Sequence, residues 1–598
     1  MTAYRSAEKS PASAPKTPFR RFLDADWDRW LEENPEVATI AGVTLFDDRW
    51  TDDSPAGIDR RRRHLEESRQ RFDAFRRTDL PPAERLSYDL YRELLDTAEV
   101  AVRFGFDPMP YRFGMPHHFG MPLNQMDGVH LTAPDVLDAQ PRERVSDYEA
   151  ILTRLKRLPA AVEQNHELLG KGLAGGLSPP RIALRGVSRQ LVQLVPDEPM
   201  ASALLTPFTK FPARIPEAER SRLTAAARRE YTERVAPAFR RLREYLESTY
   251  LPACRESVGV SALRDGEAIY RFLVQWQTTT SRTPKEIHDI GLAEVKRIRS
   301  EMETVMRSTG YNGGFREFTE FLRTDPRFYY ARPEELLEGY RALLKRVDPA
   351  LARLFGRLPR LPYGVVAVPD YRAPSSPSAY YISGAPATGR AGYFFANTYE
   401  VGVRPKWEME ALALHEAVPG HHLQISLAQE LDGIPEFRRN SGYTAFIEGW
   451  GLYAESLGEE VGCYTDPYSK FGQLTFDMWR SIRLVVDTGI HALGWTRDQA
   501  IRFFRENTGK SDLDIEVEVD RYIVWPGQAL AYKMGQLKHR ELRTYAEREL
   551  GERFNVRRFH DVLLEEGALP LGLLEQRVRE WVSAERSAVS AAPAGALR

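Results

Sequence analysis

The sequence predicts a large, mainly α-helical protein with one small β-sheet placed just ahead of its most reactive stretch. Over most of the 598 residues, apolar side chains recur three and four positions apart, the spacing that gives a helix one apolar face. Three runs, VVAVPD from Val365, AYYISGA from Ala379 and GYFFANTYEV from Gly392, are instead aromatic or β-branched and are separated by Pro and Gly, as strands are. No internal repeat or long linker divides the chain. A single domain over 18–586 is therefore expected, between two disordered tails, 1–17 and 587–598, rich in Ala, Ser and Pro.

In order, helical patterns fill the chain from Arg20 to about Phe104. The segment from Phe106 to Pro134 follows, dense in Gly, Pro, Met and aromatic residues, too apolar for a solvent loop and too broken for a helix. It is expected to pack over or into a cavity that His117, His118 and His130 could line, although such histidines are more often hydrogen-bonded packing groups. Helices resume at Ser146–Gly170 and Glu217–Thr249. Thr283-Pro-Lys-Glu286 is a capping box with proline at the first helical position, and a further helix begins near Pro333.

Composition narrows the function classes. The net charge is -2 with a pI near 6.7, which gives no global electrostatic case for nucleic acid or an anionic membrane. Two cysteines, Cys254 and Cys463, are too few for a disulfide framework or a cysteine-rich zinc site. The N-terminus carries charges and prolines where a secretory signal needs an apolar core, and no run is long enough to span a bilayer, so a cytoplasmic protein is expected.

Three of the twelve histidines fall in HEAVPGHH, His415 to His422, with a glutamate among them. Zinc hydrolases use H-E-x-x-H, where two histidines one turn apart face one ion and the glutamate handles water. Here the position four after His415 is Pro419, and on a regular helix His421 would be rotated about 120° from His415 and displaced by about 9 Å. Pro419 and Gly420 offer a way round this, because proline interrupts the helical hydrogen bonds and glycine accepts almost any backbone angle. The expectation is a break at Val418–Gly420 that brings His421, and not His422, beside His415. The alternative is a helix that ends at Pro419 and leaves the histidines at the surface.

A catalytic zinc site takes three protein ligands and leaves one position open. Glu448, set among Phe446, Ile447, Trp450 and Leu452, is the expected third ligand, since a carboxylate in apolar company needs a compensating positive charge. Glu455, seven residues on, is on the same face and expected behind the ligands. Arg483, Asp487 and His491 are four apart and are expected to line one face as a hydrogen-bonded chain, serving the ligands or a substrate carboxylate; an internal ion pair with a satisfied histidine is the equal alternative. Tyr532 is the candidate to share charge on a carbonyl oxygen, with His491 or Arg483 in support. Asn397, Lys533 and His422 are further candidates for substrate binding or for the surroundings of the ligands. His560 is read as a capping or packing group.

ENPEVATIAG, TPKEIHDIGLAEV, HEAVPGHHLQ, EGWGLYAE, RLVVDTGIHALGW, PGQALAYKMGQLK and FHDVLLEEGALPL resemble, in this order, blocks of the bacterial family catalogued as domain of unknown function 885, grouped with thermolysin-like zinc metallopeptidases. The resemblance implies a two-lobed, zincin-like helical fold with a deep cleft, similar to oligopeptidases and angiotensin-converting-enzyme-like peptidases. It matches His415, Glu416 and His421 to the family's His-Glu and Pro-Gly-His, and Glu448 to the third ligand of those peptidases; His422 looks the more variable of the pair. Many relatives look like exported proteins or lipoproteins, which this N-terminus does not resemble.

The expected function is therefore zinc-dependent hydrolysis of peptide or amide bonds in small substrates, with Glu416 as general base. A metal-dependent enzyme acting on a small non-peptide metabolite is the first alternative, and a catalytically silent binding protein the second.

Overall fold

The computed structural model describes residues 16–108, 115–369, 373, 376–385, 389–440 and 442–590. The chain is 70% helical, so the sheet is a local feature and not the frame. The first helix, α1 (Pro18–Glu33), starts where Thr17 accepts a hydrogen bond from the Arg20 amide and Pro18 takes the first helical position. Its buried face, Phe19, Phe22, Leu23, Trp27 and Trp30, follows helical spacing. The expected helices stand at α2 (Val145–Ala174), α4 (Pro284–Ser308) and α5 (Pro333–Leu354), with the Thr283/Glu286 capping box formed, and a further helix, α3, covers Gly266–Thr278. Glu217 to Tyr250 is helical throughout, with π turns at Tyr231–Val235 and Leu246–Tyr250.

The strands are β1 (Tyr363–Ala367), β2 (Ala379–Ile382) and β3 (Gly392–Ala396), in the order β1-β3-β2. β3 runs parallel to β1, Tyr363 opposite Gly392, and antiparallel to β2, Ala379 opposite Ala396. Phe394 at the centre of β3 is buried edge-on against Tyr340 of α5, which fixes the sheet to the helical body.

Eight helices then carry most of the chemistry: α6 (Met409–Glu416), α7 (His421–Gln429), α8 (Thr444–Ser456), α9 (Pro467–His491), α10 (Asp512–Val524), α11 (Leu530–Leu550), α12 (Val556–Leu564) and α13 (Leu571–Ser590). Helix α9 is buried almost all round, as a helix enclosed by others must be. α4 lies against it so closely that a Cβ on Gly291 would meet the Leu484 Cβ at 2.7 Å. α8 and α11 are closer still: a Cβ on Gly535 would fall 1.8 Å from the Ala445 carbonyl oxygen. One hydrophobic core joins α1 to the segments around the sheet and to α13, while residues between Leu123 and Cys254 form another.

Two tail boundaries are corrected. Thr17 belongs to the cap of α1, and Ser587 lies inside α13, whose helix continues to Ser590. Residues 1–15 and 591–598 of the expected tails, and residues 109–114 of the Gly/Pro/Met segment, lie outside the described residues.

The α8–α11 contact makes a quantitative expectation. Gly535→Ala must push backbone apart and should cost about 1–3 kcal/mol, read as a clear fall in thermal midpoint. Gly572→Ala on α13, where an added Cβ meets nothing within 4 Å, is the control and should leave the midpoint unchanged or slightly raised. Equal behaviour of the two variants would contradict the close packing.

Candidate metal centre

Helix α6 ends at Glu416 and α7 begins at His421. Between them the backbone turns at Ala417 (φ -105°, ψ -104°), the Val418–Pro419 peptide is cis, and the His422 amide reaches back to the Ala417 carbonyl at 3.1 Å. Gly420 is needed here, because a Cβ would lie 1.9 Å from the His415 carbonyl oxygen. The break falls where the Pro-Gly insertion put it, and the alternative of surface histidines is not what forms.

The consequence is a compact cluster. The imidazoles of His415 and His421 stand at 86° with centroids 4.6 Å apart. Glu448 Oε2 lies 3.5 Å from His415 Nε2 and 3.6 Å from His421 Nε2. One ligand atom from each of the three residues falls within 4.8 Å of the others. Donors around a tetrahedral ion with bonds of about 2.1 Å are about 3.4 Å apart, so the residues present fit zinc.

α8 builds most of the surroundings. Its Trp450 donates Nε1–H to the Pro419 carbonyl at 2.8 Å, holding the break. Gly451 leaves the space filled by the His415 ring, which an added Cβ would meet at 2.7 Å. Glu455 Oε1 lies 2.8 Å from His415 Nδ1, an arrangement that holds the proton on Nδ1 and turns Nε2 toward Glu448 and His421. Arg480 of α9 approaches the same Glu455 oxygen at 3.7 Å.

The electrostatics favour a cation. Burial alone would push the His415 pKa down, but the carboxylates of Glu448 and Glu455 overcome it and raise it to about 9. Burial would likewise raise the Glu448 pKa, yet hydrogen bonds from His415 and His421 hold it well below the usual carboxylate range. Negative charge strong enough to retain a proton on a buried imidazole is what a metal ion would exploit. Glu416, next to His415, is partly exposed, and its carboxylate has no hydrogen bond or ion pair among the described residues. It is free to meet a substrate or water.

A family described as a bacterial protein of unknown function, DUF885, matches residues 35–578. The chain belongs to the DUF885 family. Two solved structures share its fold over 94% of its length. One, a "putative lipoprotein from Colwellia psychrerythraea", is 26% identical with a TM-score of 0.86 and is itself covered to 98%. The other, a "putative lipoprotein of unknown function from Shewanella oneidensis", is 16% identical with a TM-score of 0.72 and is covered to 99%. No curated protein matches.

Other expected site residues of this DUF885 protein are placed elsewhere. His422 turns to the sheet: its Nδ1 lies 2.9 Å from the Tyr381 hydroxyl of β2, and burial lowers its pKa to about 4. Asn397 is fully buried and donates to the carbonyls of Ala373, Ser376 and Pro377, so it closes a loop and does not bind substrate. Lys533 is enclosed by Asp477 at 2.6 Å, Glu294 at 2.9 Å and Gln536 in a buried ion network. The chain expected from Arg483 through Asp487 to His491 does not form. Asp487 accepts from Tyr270 and the Gly527 amide, and burial lifts its pKa to about 7. His491 accepts from the Val260 amide and donates to the Tyr522 carbonyl, so both ring nitrogens are spent on backbone and neither can serve an oxyanion. His560 likewise packs between Leu354 and Tyr453.

Arg483 and Tyr532 do meet, the guanidinium 4.6 Å from the tyrosine ring centre. Their partners are Glu518, Arg521 and Gln528, and Glu518 escaped the sequence reasoning although the i, i+3 pair Glu518/Arg521 was a visible signal. A cavity of about 380 Å³ is lined by His117 and His118 of the Gly/Pro/Met segment, as expected, but not by His130, which pairs with Gln190. None of the cluster residues lines it.

Zinc affinity should report the Glu455–His415 contact. Glu455→Gln is expected to bind zinc about 10–100-fold more weakly, whereas His422→Ala should bind it as the wild type does, both read by competition with a chromophoric chelator. Loss of affinity on removing His422 instead would contradict the assignment of His421.

Proposed function

We propose that this protein is a zinc-dependent hydrolase of peptide or amide bonds in small substrates, built on a zincin-like helical frame. The reading is carried by one observation: Glu448 Oε2 lies 3.5 and 3.6 Å from His415 Nε2 and His421 Nε2, the spacing of donors around one ion, while Glu455 holds the outer nitrogen of His415. His415, His421 and Glu448 would hold the ion. Bound zinc supplies positive charge that acidifies a water and polarises a carbonyl.

The chain's own groups do the rest. Glu416, whose carboxylate is unengaged among the described residues, takes the proton of the attacking water and returns it to the leaving nitrogen. The Tyr532 hydroxyl shares the charge that grows on the carbonyl oxygen, and Arg483, stacked on its ring, keeps that ring in place. β2 stands at the outer edge of the sheet, and its Tyr381 touches His422, the neighbour of His421. An extended peptide pairing with that edge would be held by its backbone, with little demand on side chains.

Glu416→Gln separates binding from chemistry. The variant should retain one zinc per chain by elemental analysis while hydrolysis of short peptides falls by about 10²–10⁴-fold. Undiminished hydrolysis would overturn the role of Glu416. Zinc-loaded wild-type protein that cleaves no peptide or amide in a broad screen would overturn the substrate class.

A further inference from the structure

One turn of α9 beyond Arg480, the protein holds more positive charge than its own carboxylates balance. Arg483 and Arg521 both point at Glu518, at 3.0 and 3.4 Å, and among the described residues it is the carboxylate within ion-pair distance of either. The Tyr522 hydroxyl donates to the same carboxylate at 2.7 Å. Arg483 is 5% exposed, and its Nη1 is buried without a hydrogen-bond partner among the described residues. Asp487, one turn further on, is engaged by Tyr270 and Gly527. Arg480 is no counterweight, since it adds a cation to the side of Glu455 that His415 already uses. Two guanidiniums against one carboxylate leave a net positive charge where little water reaches, a costly arrangement unless an anion joins it.

The free ends of this group converge. Among the described residues Arg521 Nη2 has only neutral acceptors, Gln528 Oε1 at 2.6 Å and the Tyr532 hydroxyl at 3.4 Å, and Gln528 Nε2 lies 3.5 Å from the same hydroxyl. The two contacts to Tyr532 are long and easily exchanged. Unlike Arg483, Arg521 is partly exposed, with a side chain 18% accessible. Trp525, whose ring centre is 5.7 Å from the Arg521 guanidinium, also forms part of the wall of the 380 Å³ cavity, together with apolar Phe106, Leu123, Leu273 and Pro526.

We propose that Arg521 and Gln528, beside the Tyr532 hydroxyl, are the receptor for a carboxylate on the ligand, and that a substrate presents its free C-terminal carboxylate there. The second half rests on the hydrolase reading; the receptor does not. A guanidinium fork accepts both carboxylate oxygens, and rotation of the Gln528 amide offers its NH₂ in place of its oxygen. Neutralising the excess charge supplies the affinity that an uncharged terminus would lack.

The test is calorimetric titration of the full chain with N-acetylphenylalanine and with N-acetylphenylalaninamide, which differ only in that terminus. The acid should bind at least about tenfold more tightly, and the ratio should collapse to about one in Arg521→Gln, with Arg521→Lys in between because it keeps the charge but loses the fork. Equal binding of acid and amide by the wild type, no binding of the acid, or an unchanged ratio in Arg521→Gln would overturn the receptor. Should Arg521→Gln fail to fold, the wild-type comparison and Gln528→Leu, expected to lower the ratio, decide instead. Turnover separates the two claims. Peptides with free and amidated C-termini cleaved equally well would defeat the placement of the substrate's C-terminus at the receptor and leave the hydrolase standing, whereas Arg521-dependent binding of the acid without cleavage of any peptide would leave the receptor standing and defeat the hydrolase.

Discussion

The candidate centre depends on how closely α8 can lie against the interrupted helix. Three of its contacts with that helix are steric or directional and fall within a few residues: Trp450 on the Pro419 carbonyl, Gly451 under the His415 ring, and Glu455 on His415 Nδ1. The hydrogen bond from Trp450 contributes only about 1 kcal/mol net. Shape therefore decides. Gly420 lies where any Cβ would sit inside bonding distance of a carbonyl oxygen, and Gly449 and Gly535 let α8 and α11 press together behind it. With α8 held there, Glu448 comes to face two histidines that a continuous helix would have turned apart.

That geometry also sets the charge balance. Two carboxylates, the partly buried Glu448 and the buried Glu455, bracket one imidazole, and a second imidazole completes the group. Such an arrangement is expensive unless positive charge sits at its middle. A proton on His415 is one solution and a divalent ion is a better one, because it also engages His421, whose Nε2 faces the same point. On the far side of Arg480 the imbalance has the opposite sign, with Arg483 and Arg521 sharing Glu518. Adjacent turns in the middle of α9 thus meet carboxylates that would favour a cation and guanidiniums that would favour an anion.

The sequence is most legible where a residue type has few structural uses. Thr283-Pro-Lys-Glu286 had to be a helix start, the runs around β1 to β3 had to be strands, and Pro419-Gly420 had to interrupt a helix. Glu448 was legible because a carboxylate among aromatics needs a partner. Periodicity shows which residues share a helical face, but not which element that face meets. Arg483, Asp487 and His491 do share a face, and they meet Tyr522 and Glu518, Tyr270 and Gly527, and the backbone of Val260, respectively. Lys533, a candidate for substrate binding or for the surroundings of the ligands, instead neutralises Asp477 and Glu294 from distant helices. Asn397 follows a strand, where a side-chain amide serves loop carbonyls as readily as a ligand. The charge imbalance around Arg521 was hidden because it is a count of charges assembled from two helices.

The central claim is that the broken helix and α8 bring His415, His421 and Glu448 onto one metal ion. A crystal structure of the zinc-loaded protein, with anomalous data on both sides of the zinc edge, tests it most directly. The account predicts one anomalous peak per chain, bonded at about 2.0–2.2 Å to His415 Nε2, His421 Nε2 and a Glu448 oxygen, with Glu455 on His415 Nδ1. A peak elsewhere, or an ion bound through His422 with His421 turned away, would contradict it.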